Sequence, residues 1–302
     1  MNSRAFRFRL KQLMQLRETL NCCGQCAAIF WRHRKIAIFS AYFALLACTT
    51  NDHIVQALEN ARQKNSSIPL AHLVDETLTI ERAYRVQREL VRRELGRRSP
   101  VGFKAGLTSP AARARFGSEQ AIAGVLTLDP RSTGTSVKLT EFPGLHLEVE
   151  VAMRIGKPIY HELDTIDELK AHVDGLAPAI ELPNLDYRNP DQLTVLDIIA
   201  SNVAAAHFMV GEFASPKSQD ANLLRVKLTC GGLLLNEAQG RDAMGDQWTA
   251  ALWLVNQLIE QGWKLERGQI LLTGALGKMV KATRGECDAD FHDWGTLNVR
   301  IE

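Results

Sequence analysis

The sequence lacks any apolar run of the roughly 20 residues that a membrane-spanning helix needs. Its apolar segment at 36–47 is twelve residues long. The sequence also lacks internal repeats and low-complexity tracts, which argues against solenoid and fibrous architectures. What is present is ordinary for a globular chain: 46% of the 302 residues are hydrophobic and 23% are charged. This composition is enough for one sizeable core.

The net charge of the chain is also small, at +2 at pH 7. Residues 1–47 hold eight basic residues and one glutamate, so the charge of residues 48–302 is −5. A body with net negative charge does not have the basic surface that nucleic-acid binding requires. We therefore expect no nucleic-acid partner.

The basic charge belongs to a predicted leader of residues 1–51. Residues 32–35 are basic or histidine, the apolar segment 36–47 follows, and it ends in the sequence LLAC at Cys48. This order is typical of a secretory signal, and its end resembles the lipobox of bacterial lipoproteins. Lipidation of Cys48 would anchor the protein to a membrane on the periplasmic side, at about 0.8 kcal/mol per buried methylene. The alternative is an uncleaved apolar segment in a cytoplasmic protein.

Cysteine is scarce past the leader, where only Cys230 and Cys287 occur. The leader itself contains Cys22, Cys23 and Cys26, but no second pair of cysteines or histidines completes a zinc site. Spacing alone leaves open whether Cys230 and Cys287 form a disulfide.

Hydrophobic spacing predicts a mixture of helices and strands, with helices first, which favours an α+β fold. The predicted helices cover 52–64, a segment from the N-cap Thr79 to Gly96, 164–173, 194–210 and 247–260. The predicted strands cover 145–154, 177–182, 226–235 with a Cys-Gly-Gly bulge or turn, 269–273 and 295–301.

The predicted strand at 145–154 holds the most informative pattern, because its residues alternate strictly between apolar and polar. Alternate side chains of a strand share a face, so His146, Glu148 and Glu150 lie together on the side away from the core. Neighbouring carboxylates repel each other, and a cation relieves the repulsion. Carboxylate oxygens suit Mg²⁺ or Mn²⁺. The alternative is a polar strand face in water.

Two further charged residues stand in apolar or glycine-rich surroundings. Glu181 is a lone acid within the apolar segment 179–183, so it is a candidate third ligand, or else an exposed acid. Lys104 lies between Gly102 and Gly106, and glycines allow a close backbone approach to a ligand. Such a lysine holds an anion or moves a proton, unless it is an ordinary surface lysine.

Seven segments, in order, resemble the 2-keto-4-pentenoate hydratase family of the fumarylacetoacetate hydrolase superfamily. They are GFKAGLTS, FGSEQAIAGVL, LEVEVA, AIELPNLD, ASNVAAA, GDQWTAALWLVNQL and GQILLTGALGKMV. The resemblance covers residues 53–302, and it implies a catalytic domain of residues 52–302. The implied fold is α+β, with a mixed β-roll or sandwich core and flanking helices.

The resemblance also implies roles for individual residues. Glu148, Glu150 and Glu181 would bind Mg²⁺ or Mn²⁺, and Lys104 would act beside the substrate as an acid, base or polarising group. Substrate contacts would come from Leu107, Asn202, Thr273 and Gly274. The implied reaction is the addition of water to a 2-hydroxy-2,4-dienoate, which gives a 4-hydroxy-2-oxo acid. The family also implies a homo-oligomer and a small 2-oxo or 2-hydroxy acid as the substrate.

The sequence departs from the family at three positions. Ile122 and Ser201 stand where relatives often carry aspartate, and His146 adds an imidazole beside the predicted metal ligands. We expect His146 to form a hydrogen bond near the metal rather than to bind it directly. These changes leave the predicted ligands intact but alter the surroundings of the substrate.

Three alternative functions therefore stay open. Decarboxylation of a 2-oxo-enedioate uses the same predicted site. C–C bond hydrolysis needs a base for water, and His161-Glu162 is the only adjacent histidine–glutamate pair in the sequence. A non-catalytic lipoprotein that captures ligands is favoured by the absence of an acid at Ile122.

Overall fold

The computed structural model describes residues 51–127 and 135–302. The predicted leader, with Cys48 as its lipidation site, lies outside the described residues except for its last position. Within the two described ranges, no helix is both long enough and apolar enough to cross a membrane.

Helices come first along the described chain, and strands and helices are interspersed after them. The helices are α1 (51–63), α2 (Ala71–Val74), α3 (Ile80–Leu95), α4 (Pro110–Phe116), α5 (Ile166–His172), α6 (Val195–Ala200) and α7 (Gln247–Glu260). The strands are β1 (Gly102–Gly106), β2 (Ile122–Leu126), β3 (Ser136–Val137), β4 (His146–Ile155), β5 (Val173–Leu182), β6 (His207–Val210), β7 (Arg225–Cys230), β8 (Leu233–Gln239), β9 (Ile270–Leu272), β10 (Val280–Lys281), β11 (Gly285–Asp290) and β12 (Thr296–Ile301).

The strands form two mixed sheets. The larger sheet has the order β2-β1-β9-β4-β5-β6, with β10 also paired to β4, and the smaller has the order β3-β12-β11-β7-β8. The pairs β1–β9 and β3–β12 are parallel, and the other neighbours are antiparallel. Apolar side chains from both sheets and from α7 form one buried core. The predicted α+β class and the sandwich-like core with flanking helices are confirmed.

The strand β4 has one face in this core and carries glutamates on its other face. Leu147, Val149 and Val151 are fully buried in the main core, as their alternation predicts. Glu148 and Glu150 occupy the opposite face of the same strand. That face is bordered by a second apolar cluster from α1, α3 and α6, and by a third, smaller cluster. The larger sheet therefore presents its charged strand face between apolar clusters.

The long helices begin where the sequence predicts. The Thr79 hydroxyl accepts the N–H of Arg82 at the start of α3, and Gly96 ends that helix with a φ of 61°. The helix α7 covers the predicted residues 247–260, and its N-cap Asp246 accepts the N–H of Thr249. Side-chain oxygens at these positions bind N–H groups that have no partner inside the helix.

The prediction of one helix at 194–210 is wrong. The helix α6 ends at Ala200, and the next residues include Asn202, Val203 and Ala204 with φ values of 66°, 53° and 54°. The chain then becomes the strand β6, which pairs with β5. The alanine-rich sequence favours a helix locally, but pairing with the larger sheet overrides that preference.

The segment 226–235, predicted as a strand with a Cys-Gly-Gly bulge or turn, forms two strands that are joined by a turn at the predicted place. Gly231 and Gly232, both at positive φ, form the turn between β7 and β8. Cys230 lies directly opposite Cys287 on β11, and the two form a disulfide bond. The question that spacing left open is therefore answered, and the bond links two strands of the smaller sheet.

Candidate active site

Three carboxylates meet where β4 and β5 lie side by side. Glu148 is directly opposite Glu181 in the antiparallel register, and Glu150 is two residues along the same face of β4. One ligand oxygen from each of the three lies within 4.8 Å of the others. The period of two along a strand and the spacing between neighbouring strands explain this convergence.

Two of the carboxylates are fully buried and incompletely paired. Glu150 Oε2 accepts the backbone N–H of Gly274 at 2.7 Å, whereas Glu150 Oε1 and Glu181 Oε1 have no hydrogen-bond partner among the described residues. Glu148 is half-buried and faces the same space. Buried carboxylates without partners are unfavourable. Three converging carboxylates of this kind fit a divalent cation that prefers oxygen ligands.

Burial changes the proton affinity of these groups. Burial, together with the charge of Glu148, raises the pKa of Glu150 to about 8. Burial also raises the pKa of Glu181 well above its ordinary value. A cation that binds here must therefore displace protons.

Lys104 brings a positive charge to the same site. It is a buried residue of β1, and its Nζ lies 2.7 Å from Glu181 Oε2. The ammonium also donates to the backbone oxygen of Val203 at 3.3 Å. Burial alone would lower the pKa of Lys104, but the charges of the three glutamates raise it. The alternative of an exposed surface lysine is excluded.

The glycines around Lys104 have a different purpose from the predicted one. A Cβ at Gly102 would collide with the backbone oxygen of Ile270, and a Cβ at Gly106 would lie 2.7 Å from Val203 Cγ1. These glycines allow neighbouring protein segments to approach. The expectation that they admit a ligand is therefore corrected.

The segment after β1 borders the site. Leu107 has a φ of 54°, and Arg113 donates to the backbone oxygens of Leu107 and Thr108 at 3.4 and 3.0 Å. Thr108 is buried against Gly274, where an added Cβ would lie 2.7 Å from Thr108 Oγ1. Thr108 was not among the predicted site residues, although it follows the predicted Leu107 directly.

Two predicted substrate contacts have their side chains bound elsewhere. The Asn202 amide donates to the backbone oxygen of Val125 and accepts its N–H, each at 2.8 Å. The Thr273 hydroxyl donates to Gln247 Oε1 at 2.5 Å. Both side chains are therefore bonded within the protein, and their predicted contact with substrate stays a prediction.

The residues that depart from the family also have definite positions. His146 is half-buried and its Nδ1 lies 2.8 Å from the backbone oxygen of Gly144. Among the described residues, the 4.8 Å ligand cluster consists of the three glutamates, so His146 is not a direct ligand in this geometry. Ile122 is buried opposite Gly106. His161, considered above as part of a base, is exposed and bonds only to the next residue's carbonyl among described groups.

Comparisons with known proteins agree with this fold. The family model described as fumarylacetoacetate (FAA) hydrolase C-terminal matches residues 119–302. A 2-keto-4-pentenoate hydratase from Dechloromonas aromatica is 32% identical over 225 residues, which are 72% of this chain and 85% of that protein. A 4-oxalocrotonate decarboxylase from a Pseudomonas species is 29% identical over 235 residues, 77% of this chain and 90% of that protein. The structure of 4-oxalocrotonate decarboxylase from Pseudomonas putida G7, complexed with magnesium and adipate, has a TM-score of 0.77 at 24% identity and covers 86% of this chain and 98% of that chain.

Proposed function

We propose that this chain, which belongs to the fumarylacetoacetate hydrolase family, is a metal-dependent hydratase of a 2-hydroxy-2,4-dienoate. The observation that carries the proposal is the buried cluster of Glu148, Glu150 and Glu181 beside the ammonium of Lys104. Hydratases among the relatives support this reaction, and the expected small-molecule partner is the dienoate substrate itself.

The cofactor that fits the carboxylates is Mg²⁺ or Mn²⁺. Glu148, Glu150 and Glu181 would hold it, because their carboxylates converge and the oxygens Glu150 Oε1 and Glu181 Oε1 have no hydrogen-bond partner among the described groups. A bound divalent ion supplies positive charge that stabilises negative charge developing on substrate oxygens. The N–H of Gly274 keeps Glu150 in a fixed orientation in this arrangement.

Lys104 is the residue that moves a proton. Hydration of 2-hydroxypenta-2,4-dienoate requires loss of the 2-hydroxyl proton and protonation of carbon 5, which gives the 2-oxo-3-enoate. Water then adds its hydroxyl to carbon 4 and its proton to carbon 3. The Lys104 Nζ is buried, charged and held by two acceptors, so it can give a proton and recover it within the site.

A second candidate function is decarboxylation of a 2-oxo-enedioate. The relative with this activity is 29% identical over most of its length. In this reaction the bond to the distal carboxylate breaks, CO₂ leaves, and the electron pair moves to the 2-oxygen, which takes up a proton. No water has to be activated, and the buried apolar Ile122 on the Lys104 side of the sheet is compatible with that.

Turnover assays on the full chain separate these functions. With Mg²⁺ or Mn²⁺, loss of the dienoate absorbance and formation of 4-hydroxy-2-oxopentanoate would support hydration. Release of CO₂ from a 2-oxo-enedioate would support decarboxylation, and binding without turnover would support a ligand-capturing protein.

The matched pair of variants is Glu148→Gln and Glu237→Gln. Glu237 is an exposed glutamate on β8, so its variant controls for loss of one negative charge. We expect Glu148→Gln to lose metal-dependent turnover while Glu237→Gln retains it. Unchanged activity in Glu148→Gln would remove the central hypothesis.

We further propose that the protein is exported and anchored through a lipidated Cys48. The disulfide between Cys230 and Cys287 supports this location, because disulfides persist in oxidising compartments such as the periplasm. Mass measurement of the mature N-terminus in membrane fractions tests it, with Cys48→Ser as the variant that should be released. An unprocessed chain in the cytoplasmic fraction, with both body cysteines open to alkylation, would contradict the proposal.

A further inference from the structure

We infer that Asn202 is a positioning residue that acts on Lys104 through a left-handed turn at Asn202, Val203 and Ala204. The turn presents the backbone oxygen of Val203 to the Lys104 ammonium at 3.3 Å. The expected change in kcat rests on the proposed function, whereas the expected change in the distance between Lys104 Nζ and the Val203 oxygen does not.

The backbone of the turn is unusual. Asn202, Val203 and Ala204 have φ values of 66°, 53° and 54°, and none of them is glycine. Side chains with a Cβ rarely adopt this region, and a β-branched residue such as Val203 is an outlier there. Such conformations persist only where surrounding contacts hold them, and they concentrate at functional sites.

The Asn202 amide is the first of these contacts. It donates to the oxygen of Val125 and accepts its N–H, each at 2.8 Å. The amide thus occupies the place of a neighbouring strand at the outer edge of β2. Because Asn202 is buried and both amide atoms are bonded, its orientation is fixed.

The packing of Val203 is the second contact. A Cβ at Gly106 would lie 2.7 Å from Val203 Cγ1, and a Cβ at Gly124 would lie 3.0 Å from Val203 Cβ. The side chain of Val203 therefore occupies a notch that exists because these two residues are glycines. The notch adjoins the stem of Lys104, whose Cγ would lie 3.1 Å from a Cβ at Gly124.

The consequence concerns what holds the ammonium during turnover. In the structure, Lys104 Nζ contacts Glu181 Oε2 and the Val203 oxygen. Glu181 would be shared with a bound cation, which would weaken the first of these contacts. The Val203 oxygen, fixed by Asn202, would then be the acceptor that keeps the Lys104 ammonium in place.

The chain contains a matched control for the Asn202 amide. Asn256 on α7 forms the same pair of bonds with the N–H and oxygen of Leu163, each at 2.9 Å. We would therefore compare Asn202→Asp with Asn256→Asp, since each replaces one amide donor by an oxygen that repels a carbonyl. Asn202→Gly is the second variant, because glycine suits a φ of 66° and therefore removes the amide hydrogen bonds that fix the turn without adding backbone strain.

We expect both Asn202 variants to lower kcat by about 10- to 100-fold, as a displacement of about 1 Å does, while KM stays nearly constant. Asn256→Asp should lose a similar amount of thermal stability and keep the wild-type kcat. Wild-type kcat in the folded Asn202→Gly variant, or an equal loss of kcat in Asn256→Asp, would overturn the inference.

A crystal structure of Asn202→Gly separates this inference from the proposed function. We expect Lys104 Nζ to lie beyond hydrogen-bond distance of the Val203 oxygen in that variant, whether or not the wild type turns over any dienoate. An unmoved ammonium would overturn the positioning role. Absence of turnover in the wild type would overturn only the proposed function.

Discussion

Divalent metal should stabilise this protein far more at alkaline than at acidic pH. The reason is that Glu150 must release a proton before it can bind a cation, and its buried carboxyl has a pKa of about 8. The pKa of Glu150 is raised above its ordinary value of 4.5. Its contribution to the stability of the metal-free protein is therefore fully present below about pH 4.5 and is lost as the pH rises through about 8. Metal binding has the opposite pH dependence, since protons compete with the cation.

The size of the effect follows from mass action. With metal at about 100 times its Kd near pH 8, binding stabilises the folded state by about 2.7 kcal/mol. For a domain of this size, that corresponds to a Tm increase of roughly 5–11 °C. At pH 8 about half of the Glu150 carboxyl groups are deprotonated, and two pH units lower only about one in a hundred are, so the apparent affinity falls about 50-fold. The same metal concentration then gives about 0.65 kcal/mol, or roughly 1–3 °C.

The assay is thermal unfolding of the full chain with Mn²⁺ and with EDTA, at about pH 6, where Glu150 is almost fully protonated, and at about pH 8, near the midpoint of its titration. Glu150→Gln should bind metal more weakly and should lose most of the pH dependence of the Tm increase. The control Glu237→Gln, at an exposed position, should behave like the wild type. A metal-induced Tm increase of equal size at both pH values would refute the reasoning.

Three further predictions test other parts of the molecule. Lys104→Met should lower kcat by about 10²- to 10⁴-fold while the metal-induced Tm increase remains, because it removes the proton donor but no carboxylate. Thr108→Val should lower kcat/KM by about 5- to 100-fold without a change in Tm, if the buried hydroxyl meets the substrate; an unchanged kcat/KM would exclude that contact. The double variant Cys230→Ser, Cys287→Ser opens a loop of 57 residues. Urea unfolding should show a loss of about 4 kcal/mol by the loop-entropy relation, and an unchanged midpoint would contradict it.

The parts of the site that lie on one strand could be predicted from the sequence. The alternation in β4 placed Glu148 and Glu150 on one face because the period of a strand is a local property. Glu181 was identifiable because a lone acid in an apolar strand needs a partner. The N-cap Thr79 and the helix α7 were predictable for the same reason, since capping and helical spacing involve near neighbours in sequence.

The parts that depend on distant contacts could not be predicted. The amide of Asn202 bonds to a residue 77 positions earlier, and the Val203 oxygen meets a lysine 99 positions earlier. Neither contact leaves a periodic signal, so the local sequence of the alanine-rich segment predicts a helix instead. Gly106, beside Lys104, likewise shows its packing role only in the folded chain, where Val203 occupies the adjoining space.

The strand β4 carries glutamates of the site on one face and core residues on the other, so the site does not tolerate small insertions in this strand. One added residue at the start of β4, before Leu147, would exchange the two faces of the strand, so that Glu148 and Glu150 would point into the apolar core and Leu147 and Val149 would point away from it. Such an insertion removes the ligands and the hydrophobic filling in one event. Lineages that alter this strand by a single codon should therefore lose the folded protein itself, whereas substitution of one glutamate leaves a folded but inactive relative.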